Sequence, residues 1–401
     1  MPVDLSSLPR TAWLEIDLDA IRGNLAVIRM LAGEGTPVHP VVKADAYGHG
    51  ALPVARALEA AGADGFCVAT LDEAIALRRG GIRRPILVLY PVPPTQAPTA
   101  ARRGIAITAG DFDLLEFTVA ELARGSSTRL LSVHLEVETG LGRGGFTDTE
   151  VVVAARLVAG HSRTRLGGLW THLQAPEDPT VSAIQVARFE AAGTALEAAG
   201  ISLPRRHLRA SGSLVTGGIS SLDGVRPGLS IYGLIPDALS GAALASGVAQ
   251  LRPALSLKAR PVRVADLPSG SGISYGPSFR TSRPSRIATL PLGYGDGWSR
   301  ALSNRAEALV RGVRVPLVGT VAMDAVMADV TDVPGPPVTV ADEFVLIGRQ
   351  AGAEIDVAEV ARLRTTNAWE VVAAMSGRLP RVYHAAAGPV AVRTLVAGGR
   401  G

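Results

Sequence analysis

The sequence predicts an α/β barrel of the TIM type, with eight β-α units, followed by a C-terminal mostly-β domain. Three observations carry that prediction. Through the first 240 residues or so, short apolar runs alternate with runs of helical period, which implies a parallel sheet. Eight such units lie within roughly 200 residues, the scale of a TIM-type barrel, and no Gly-x-Gly-x-x-Gly follows the first strand as in an open doubly wound sheet. Beyond residue 240, Gly and Pro punctuate short β-like runs and helical period becomes rare.

The elements follow in order. Pro37–Val42 reads as the first barrel strand and Ala51–Ala63 as its helix. Gly65–Ala69, Pro85–Leu89, Ile105–Thr108, Leu130–Val137 and Leu166–His172 are the next five strands. Their helices are Leu71–Arg79, a short turn near Thr99–Arg103, Phe112–Ala123, Glu150–Ala159 and Val181–Ala199. Arg206–Arg209 is a weak seventh strand before a short helix from Ser213 to Thr216, and Leu222–Val225 is the eighth. Leu255–Leu267, Arg286–Leu292, Ala308–Val310, Val313–Val318, Ala325–Val330 and Phe344–Ile347 are strand-like, and Val357–Arg364 is helical. Trp13–Leu18 is strand-like too. The expected division is therefore 1–18, an N-terminal strand packed with the C-terminal domain; 19–240, the barrel; and 241–401, the β domain.

Composition excludes several classes. Hydrophobic residues make up 47% of the 401 and charged residues 19%, so a disordered chain is ruled out. The single cysteine, Cys67, excludes an intramolecular disulfide and a cysteine-based zinc site, and it points to a reducing compartment. Forty basic against 36 acidic residues leaves only +4, with no basic tract, so no nucleic-acid partner is expected. No apolar run approaches ~18 residues, so no membrane-spanning helix is expected. The first ten residues have neither a basic n-region nor an apolar h-region, which makes a cytoplasmic location the expectation.

The stretch Val41-Val42-Lys43-Ala44-Asp45-Ala46-Tyr47-Gly48-His49-Gly50 carries the most chemistry. Lys43 ends an apolar strand, where a parallel barrel displays catalytic groups. Apolar neighbours make its proton easier to lose, as Schiff-base chemistry requires. Read alone, Lys43 is better taken as a solvated surface lysine at a strand end, as most such lysines are.

The whole string resembles the pyridoxal-phosphate (PLP) lysine motif of the alanine racemase family. Other stretches agree in order and spacing: Trp13–Ile21, Leu71–Ala74, Pro85–Leu89, Glu138–Arg143, Thr171-His172, Val225–Leu229, Ile231–Leu234, Ser274–Gly276, Pro291–Trp298 and Met323-Asp324. The resemblance covers nearly the whole chain. It implies the same barrel-plus-β-domain fold, PLP as cofactor, an amino acid as substrate, and a homodimer with shared active sites.

The resemblance also assigns roles. Lys43 is the cofactor-bearing lysine and one of two opposed proton-transfer bases. Tyr275 is the other, reaching in from the partner subunit out of the Gly/Ser/Pro-rich loop between Pro268 and Pro284. Two bases on opposite faces are what inversion at Cα requires. Arg226 meets the pyridine nitrogen, and because arginine keeps its proton the ring remains a weaker electron sink. His172 hydrogen-bonds Arg226 and holds it; alone it reads as well as a structural histidine. Tyr47, Ser211 and the backbone N–H groups of Gly228 and Leu229 bind the phosphate, Ser211 at a helix start. Leu89 lines the cofactor. Arg143 grips the substrate carboxylate with Met323, and Glu136 and Tyr294 support the site. Cys67, in the second strand, is expected to lie away from the chemistry. No metal site is expected.

Four departures from the family pattern stand out. Glu136 replaces a lysine that many members carbamylate, so it supplies a carboxylate to Arg143 directly. Gly377 replaces a common tyrosine, which removes one phosphate hydrogen bond worth ~0.5–1.5 kcal/mol. Thr320 and Ala322 replace a common arginine and cysteine. The last three leave a more open mouth, which suggests acceptance of amino acids larger than alanine, such as serine. Neutral drift explains the same changes. The expected function is racemisation of alanine. The alternatives are a PLP-dependent lyase, by retro-aldol cleavage or decarboxylation, and a non-catalytic PLP-binding protein.

Overall fold

In a computed structural model of the chain, residues 7–124, 129–239, 244–386 and 388–396 are described. Residues 1–6 of the segment read for a leader, and the expected boundary at 240–241, lie outside them. The chain forms two compact units: residues 21–46 with 51–252, and residues 1–20 with 47–50 and 253–401.

The N-terminal strand β1 (Ala12–Asp17) belongs to the second unit, where it pairs antiparallel with Leu255–Ala259 and parallel with Arg381–Ala385. It stops at Asp17, whose carboxylate accepts the Ala20 N–H at 2.8 Å and so caps the helix Leu18–Ala32.

The first unit contains six parallel strands in sequential order: β2 (Phe66–Val68), β3 (Ile86–Pro91), β4 (Ile105–Ala109), β5 (Leu131–Glu136), β6 (Thr164–Trp170) and β7 (Arg205–His207). Most of their buried positions are apolar, among them Phe66, Val88, Ile107, Val133 and Leu169, as a barrel core requires. The two remaining strands are reduced to single bridges. Val41 bridges to Cys67, Val38 to Val225, and Arg226 to Ala210, and these contacts close the ring of eight. The expected first strand Pro37–Val42 is thin because Pro37 and Pro40 have no N–H to donate. Their carbonyls still accept the Val225 and Cys67 N–H groups, each at 2.9 Å. The expected eighth strand, Leu222–Val225, shortens because Leu222 has a φ of 49°, outside the extended region. The long helix Pro179–Ala198 carries Pro at its first position and Asp178 as N-cap.

The second unit is built on β8 (Leu255–Ala259), β9 (Arg263–Leu267), β10 (Gly272–Ile273), β11 (Phe279–Arg280), β12 (Ser285–Leu290), β13 (Glu307–Val310), β14 (Val313–Val318), β15 (Val326–Asp329), β16 (Phe344–Gln350), β17 (Ala353–Ile355), β18 (Arg381–Ala385) and β19 (Gly388–Arg393). The main sheet runs β19-β18-β1-β8-β16-β13-β14-β15-β12-β9. The run Leu255–Leu267, expected as one strand, breaks in two around Pro261, which has no donor for the ladder. Segment 47–50 joins this unit through buried Arg381, whose Nε donates to the Gly48 carbonyl at 2.8 Å. No helix among the described residues is long and apolar enough to cross a membrane.

Candidate active site

In the barrel unit, Lys43 follows the end of the first strand. The chain then makes a left-handed turn, with φ of 51°, 53°, 55° and 51° at Ala44, Asp45, Ala46 and Tyr47. Each L-residue pays roughly 1–2 kcal/mol there. Hydrogen bonds offset the cost. Ala46 N–H donates to the Val42 carbonyl at 3.0 Å, Ala51 N–H to Asp45 Oδ1 at 2.8 Å, and Ala44 N–H to Glu73 Oε1 at 2.6 Å. The Tyr232 hydroxyl donates to the Val41 carbonyl at 2.9 Å, which fixes the strand end that carries the lysine. Strain held this firmly is typical of a functional position.

Lys43 Nζ lies 6.0 Å from the centre of the Tyr90 ring, and the Arg143 guanidinium carbon lies 5.4 Å from the same centre. Burial, and then the nearby Arg143 charge, lower the Lys43 pKa from its ordinary value. Arg143 in turn donates to Glu136 Oε1 at 3.0 Å. Glu136 ends β5 and is buried; burial raises its pKa while the Arg143 hydrogen bond opposes the rise. Tyr90, half exposed on β3 beside half-buried Leu89, was missed in the sequence although aromatic residues are scarce; it directly follows the quoted run Pro85–Leu89.

Arg226 is buried, with its guanidinium carbon 4.7 Å from the Trp170 ring centre. Nη2 donates to the Thr171 carbonyl at 2.7 Å, and Nη1 donates to the His207 carbonyl at 2.6 Å and to His207 Nδ1 at 2.5 Å. No carboxylate forms an ion pair with it among the described residues. Burial lowers its pKa to about 10, so it stays charged at neutral pH. Since arginine can only donate, His207 Nδ1 is the acceptor and its Nε2 carries the proton. That proton points along the 3.1 Å contact to His134 Nδ1. Burial and Arg226 keep His207 well below its usual pKa, consistent with this neutral tautomer.

The expected hydrogen bond from His172 to Arg226 is therefore corrected. The bonds that hold Arg226 come from His207 and from the carbonyl of Thr171, because strand seven ends beside the guanidinium while the His172 side chain makes no described bond to it. Burial, and then the nearby charges of Arg226, Arg143 and Lys43, hold the His172 pKa down at about 3. The weak strand signal around Arg206–Arg209 was the only pointer to His207. Cys67 is a second correction. It is fully buried and within electrostatic reach of both Lys43 and Arg226, rather than remote from them, because the barrel turns β2 toward the first strand. Burial pushes its thiol up to about 12, so it is unreactive.

Ser211, Gly228 and Leu229 meet in one buried cluster. Ser211 Oγ accepts the N–H groups of Gly228 at 2.9 Å and Ser230 at 3.2 Å, at the start of the short helix Ser211–Thr216. Tyr47, at the end of the left-handed turn, is buried.

The second unit holds the other expected residues. Tyr275 is 76% exposed on the loop between β10 and β11. Ser274, with a φ of 62°, donates from Oγ to the Thr320 carbonyl at 2.6 Å, and Thr320 Oγ1 lies 3.3 Å from Ser278 Oγ. Thr320 thus anchors the tyrosine loop rather than only reducing bulk. Tyr294 and Met323, 45% and 50% exposed, share one platform. Tyr294 N–H donates to the Ala322 carbonyl and Gly295 N–H to the Met323 carbonyl, both at 3.0 Å. At Gly377 an added Cβ would meet nothing within 4 Å, so the space beside it is open. Among the described residues no group of three His, Cys, Asp or Glu side chains is placed to hold a metal ion.

Residues 16–236 match the model of the alanine racemase N-terminal domain, and 254–383 that of the alanine racemase C-terminal domain. The chain is 42% identical over 386 residues to an alanine racemase of Symbiobacterium thermophilum, covering 95% of this chain and 99% of that protein. A crystal structure of alanine racemase from Bacillus anthracis with bound L-Ala-P superposes with a TM-score of 0.91 at 32% identity, covering 98% of this chain and all of that one. A histidine racemase from Leuconostoc mesenteroides superposes at 0.85 with 28% identity, covering 94% and 99%.

Proposed function

The chain belongs to the alanine racemase family and is a PLP-dependent isomerase; from that premise we propose that it interconverts L- and D-alanine by a two-base mechanism. The observation that carries the proposal is the joint arrangement around Lys43: an amine with a lowered pKa on a braced left-handed turn, beside the Arg143–Glu136 pair.

The residues fit the cofactor. Buried Arg226 offers a guanidinium with no carboxylate partner among the described residues, suited to an aromatic nitrogen acceptor. Ser211 with the N–H groups of Gly228 and Leu229, and Tyr47, would hold the phosphate; Leu89 and His172 would line the ring, and the Lys43 amine would take the aldehyde. When bound, PLP supplies an electron sink that makes the substrate Cα–H acidic. Arg143, fixed by Glu136, would hold the substrate carboxylate together with the Met323 N–H. Lys43 Nζ would exchange a proton at one face of Cα and Tyr275 Oη at the other. A tyrosine so exposed in one chain has room to act in another, which supports a homodimer with shared sites. Tyr294 supports that side of the site. In this reading residues 19–240 are the PLP-binding barrel, and 1–18 and 241–401 contribute the β domain. The lone thiol accords with a cytoplasmic home.

Broader substrate use is a second part of the reading, favoured by the open space at Gly377. One experiment tests both. Protein loaded with PLP is incubated in deuterated water with L-alanine, L-serine and larger amino acids. Deuterium at Cα and accumulation of the D-isomer are expected. An aldehyde or amine product would make it a lyase, and absence of exchange would make it a binding protein. A strict preference for alanine would end the claim of breadth.

A further inference from the structure

A cavity of about 490 Å³ lies at the opposite end of the barrel strands from Lys43. Its walls come from the beginnings of the strands, with Pro85, Ala106 and Leu130 as apolar surface over the buried Phe66, Ile86 and Ile105. That volume is within the usual ~300–1,000 Å³ range of small-molecule sites.

The charge around it is one-sided. Four arginines line it, Arg78, Arg83, Arg165 and Arg205, against one carboxylate, Asp223. Asp223 is already engaged, accepting the Arg206 N–H at 2.7 Å with the Arg206 Nε at 3.6 Å. Arg78 is spent on the rim, donating to the carbonyls of Ile82, Arg84, Arg103 and Gly104. The side chains of Arg83, Arg165 and Arg205 have no hydrogen-bond or ion-pair partner among the described residues. Three histidines also line the cavity. His39 and His134 have pKa values lowered to about 4 and about 3, and that of His207 is well below its usual value; burial is the largest cause in each. The histidines are therefore neutral hydrogen-bonding groups, and the guanidinium groups of Arg83, Arg165 and Arg205 form no ion pair among the described residues.

Guanidinium groups recognise planar oxyanions by paired N–H bonds, and low-dielectric walls focus their field. We propose that this cavity binds a small polyanion bearing carboxylate or phosphate groups. Arg83, Arg165 and Arg205 grip the oxyanion, the body of the molecule covers Pro85, Ala106 and Leu130, and Ser132 and His134 meet its remaining polar atoms. His207 is the one side chain shared between this cavity and the hydrogen bonds of Arg226.

The test is calorimetric titration of the full-length protein with citrate and, separately, with inorganic pyrophosphate, at fixed salt. It does not depend on racemase activity. Saturable binding of at least one is expected, and the stronger of the two identifies the oxyanion class. Arg165→Gln and Arg205→Gln, both at exposed positions, should each weaken binding by about tenfold, the scale of a lost charge-assisted hydrogen bond. Arg349→Gln, in the other unit and paired with Glu354, serves as control and should leave it unchanged. Absence of binding to either compound up to about 10 mM, a Kd range that corresponds to negligible affinity, would overturn the proposal. So would an equal loss in the control, which would signal only general attraction to a basic protein.

Discussion

The groups assigned to the barrel and those assigned to the β unit are held in opposite ways. Arg226 is buried, with three hydrogen bonds, an aromatic face and a histidine tautomer set by its own charge. Lys43 sits on a strained turn braced by Glu73, Asp45 and Tyr232. Tyr275, Tyr294 and Met323, by contrast, expose about half or more of their surface. A charge or tautomer kept away from water needs every partner fixed beforehand, since an unmet one costs dearly. A side chain that completes its surroundings only on assembly can be left exposed on an anchored loop.

The sharpest way to break this contrast is Lys43→Ala. We expect racemisation to fall by at least about 10³-fold, more than a positioning defect would cost. The cofactor should also no longer become fixed to the chain by borohydride, as read by mass spectrometry. Wild-type-like rates would remove Lys43 from the mechanism.

Tyr275→Phe comes next, with an expected loss of about 10²–10⁴ in both directions of racemisation. Cα exchange in deuterated water should survive for one enantiomer only, the one whose proton faces Lys43. Equal survival for both enantiomers would contradict two opposed bases. Ultracentrifugation of the same protein would show whether it assembles as the exposed tyrosine suggests.

Arg143 and Glu136 sharpen the barrel side. Glu136→Gln keeps the shape but removes the charge beside Arg143, and the KM for alanine should rise about tenfold with a smaller change in kcat. Arg143→Met removes the second cause of the lowered Lys43 pKa, so the rise of the rate with pH should move to higher pH. The sign for stability follows from linkage. Where the folded pKa of a lysine is below its unfolded value, the unfolded chain binds more protons between the two, so stability rises with pH across that window. Arg143→Met narrows the window from below, which paired unfolding curves at two alkaline pH values would reveal.

The smallest effect is expected at Gly377. Its surroundings leave room for a side chain, so Gly377→Tyr should fold normally and retain alanine turnover within a few-fold. Its kcat/KM for larger amino acids should fall further than that for alanine. A uniform change across the substrate panel would show that the open space does not govern selectivity.

Much of this was legible in the chain itself. The 2-residue and 3.6-residue periods, with turns between them, located the barrel units because each element must bury an apolar face. Where the reading slipped, backbone chemistry was responsible. Pro37 and Pro40 thinned the first strand, Pro261 split an apparent long one, and the positive φ at Leu222 shortened the last. Lys43 was visible because a whole motif surrounds it. Tyr90 and His207 were not, since a tyrosine after a strand and a histidine in a weak strand carry no local signature.

Sequence alone thus determined the family, the two-part architecture and the identity of the chemical groups, all of which depend on local order and spacing. Only tertiary structure decided who holds Arg226, that Cys67 lies within electrostatic reach of the lysine, that Thr320 anchors the tyrosine loop, and that guanidinium groups gather at the other end of the barrel. Each of these joins residues far apart in the chain. Closing a ring of strands sets such neighbours by register and curvature, and no short window of sequence encodes either.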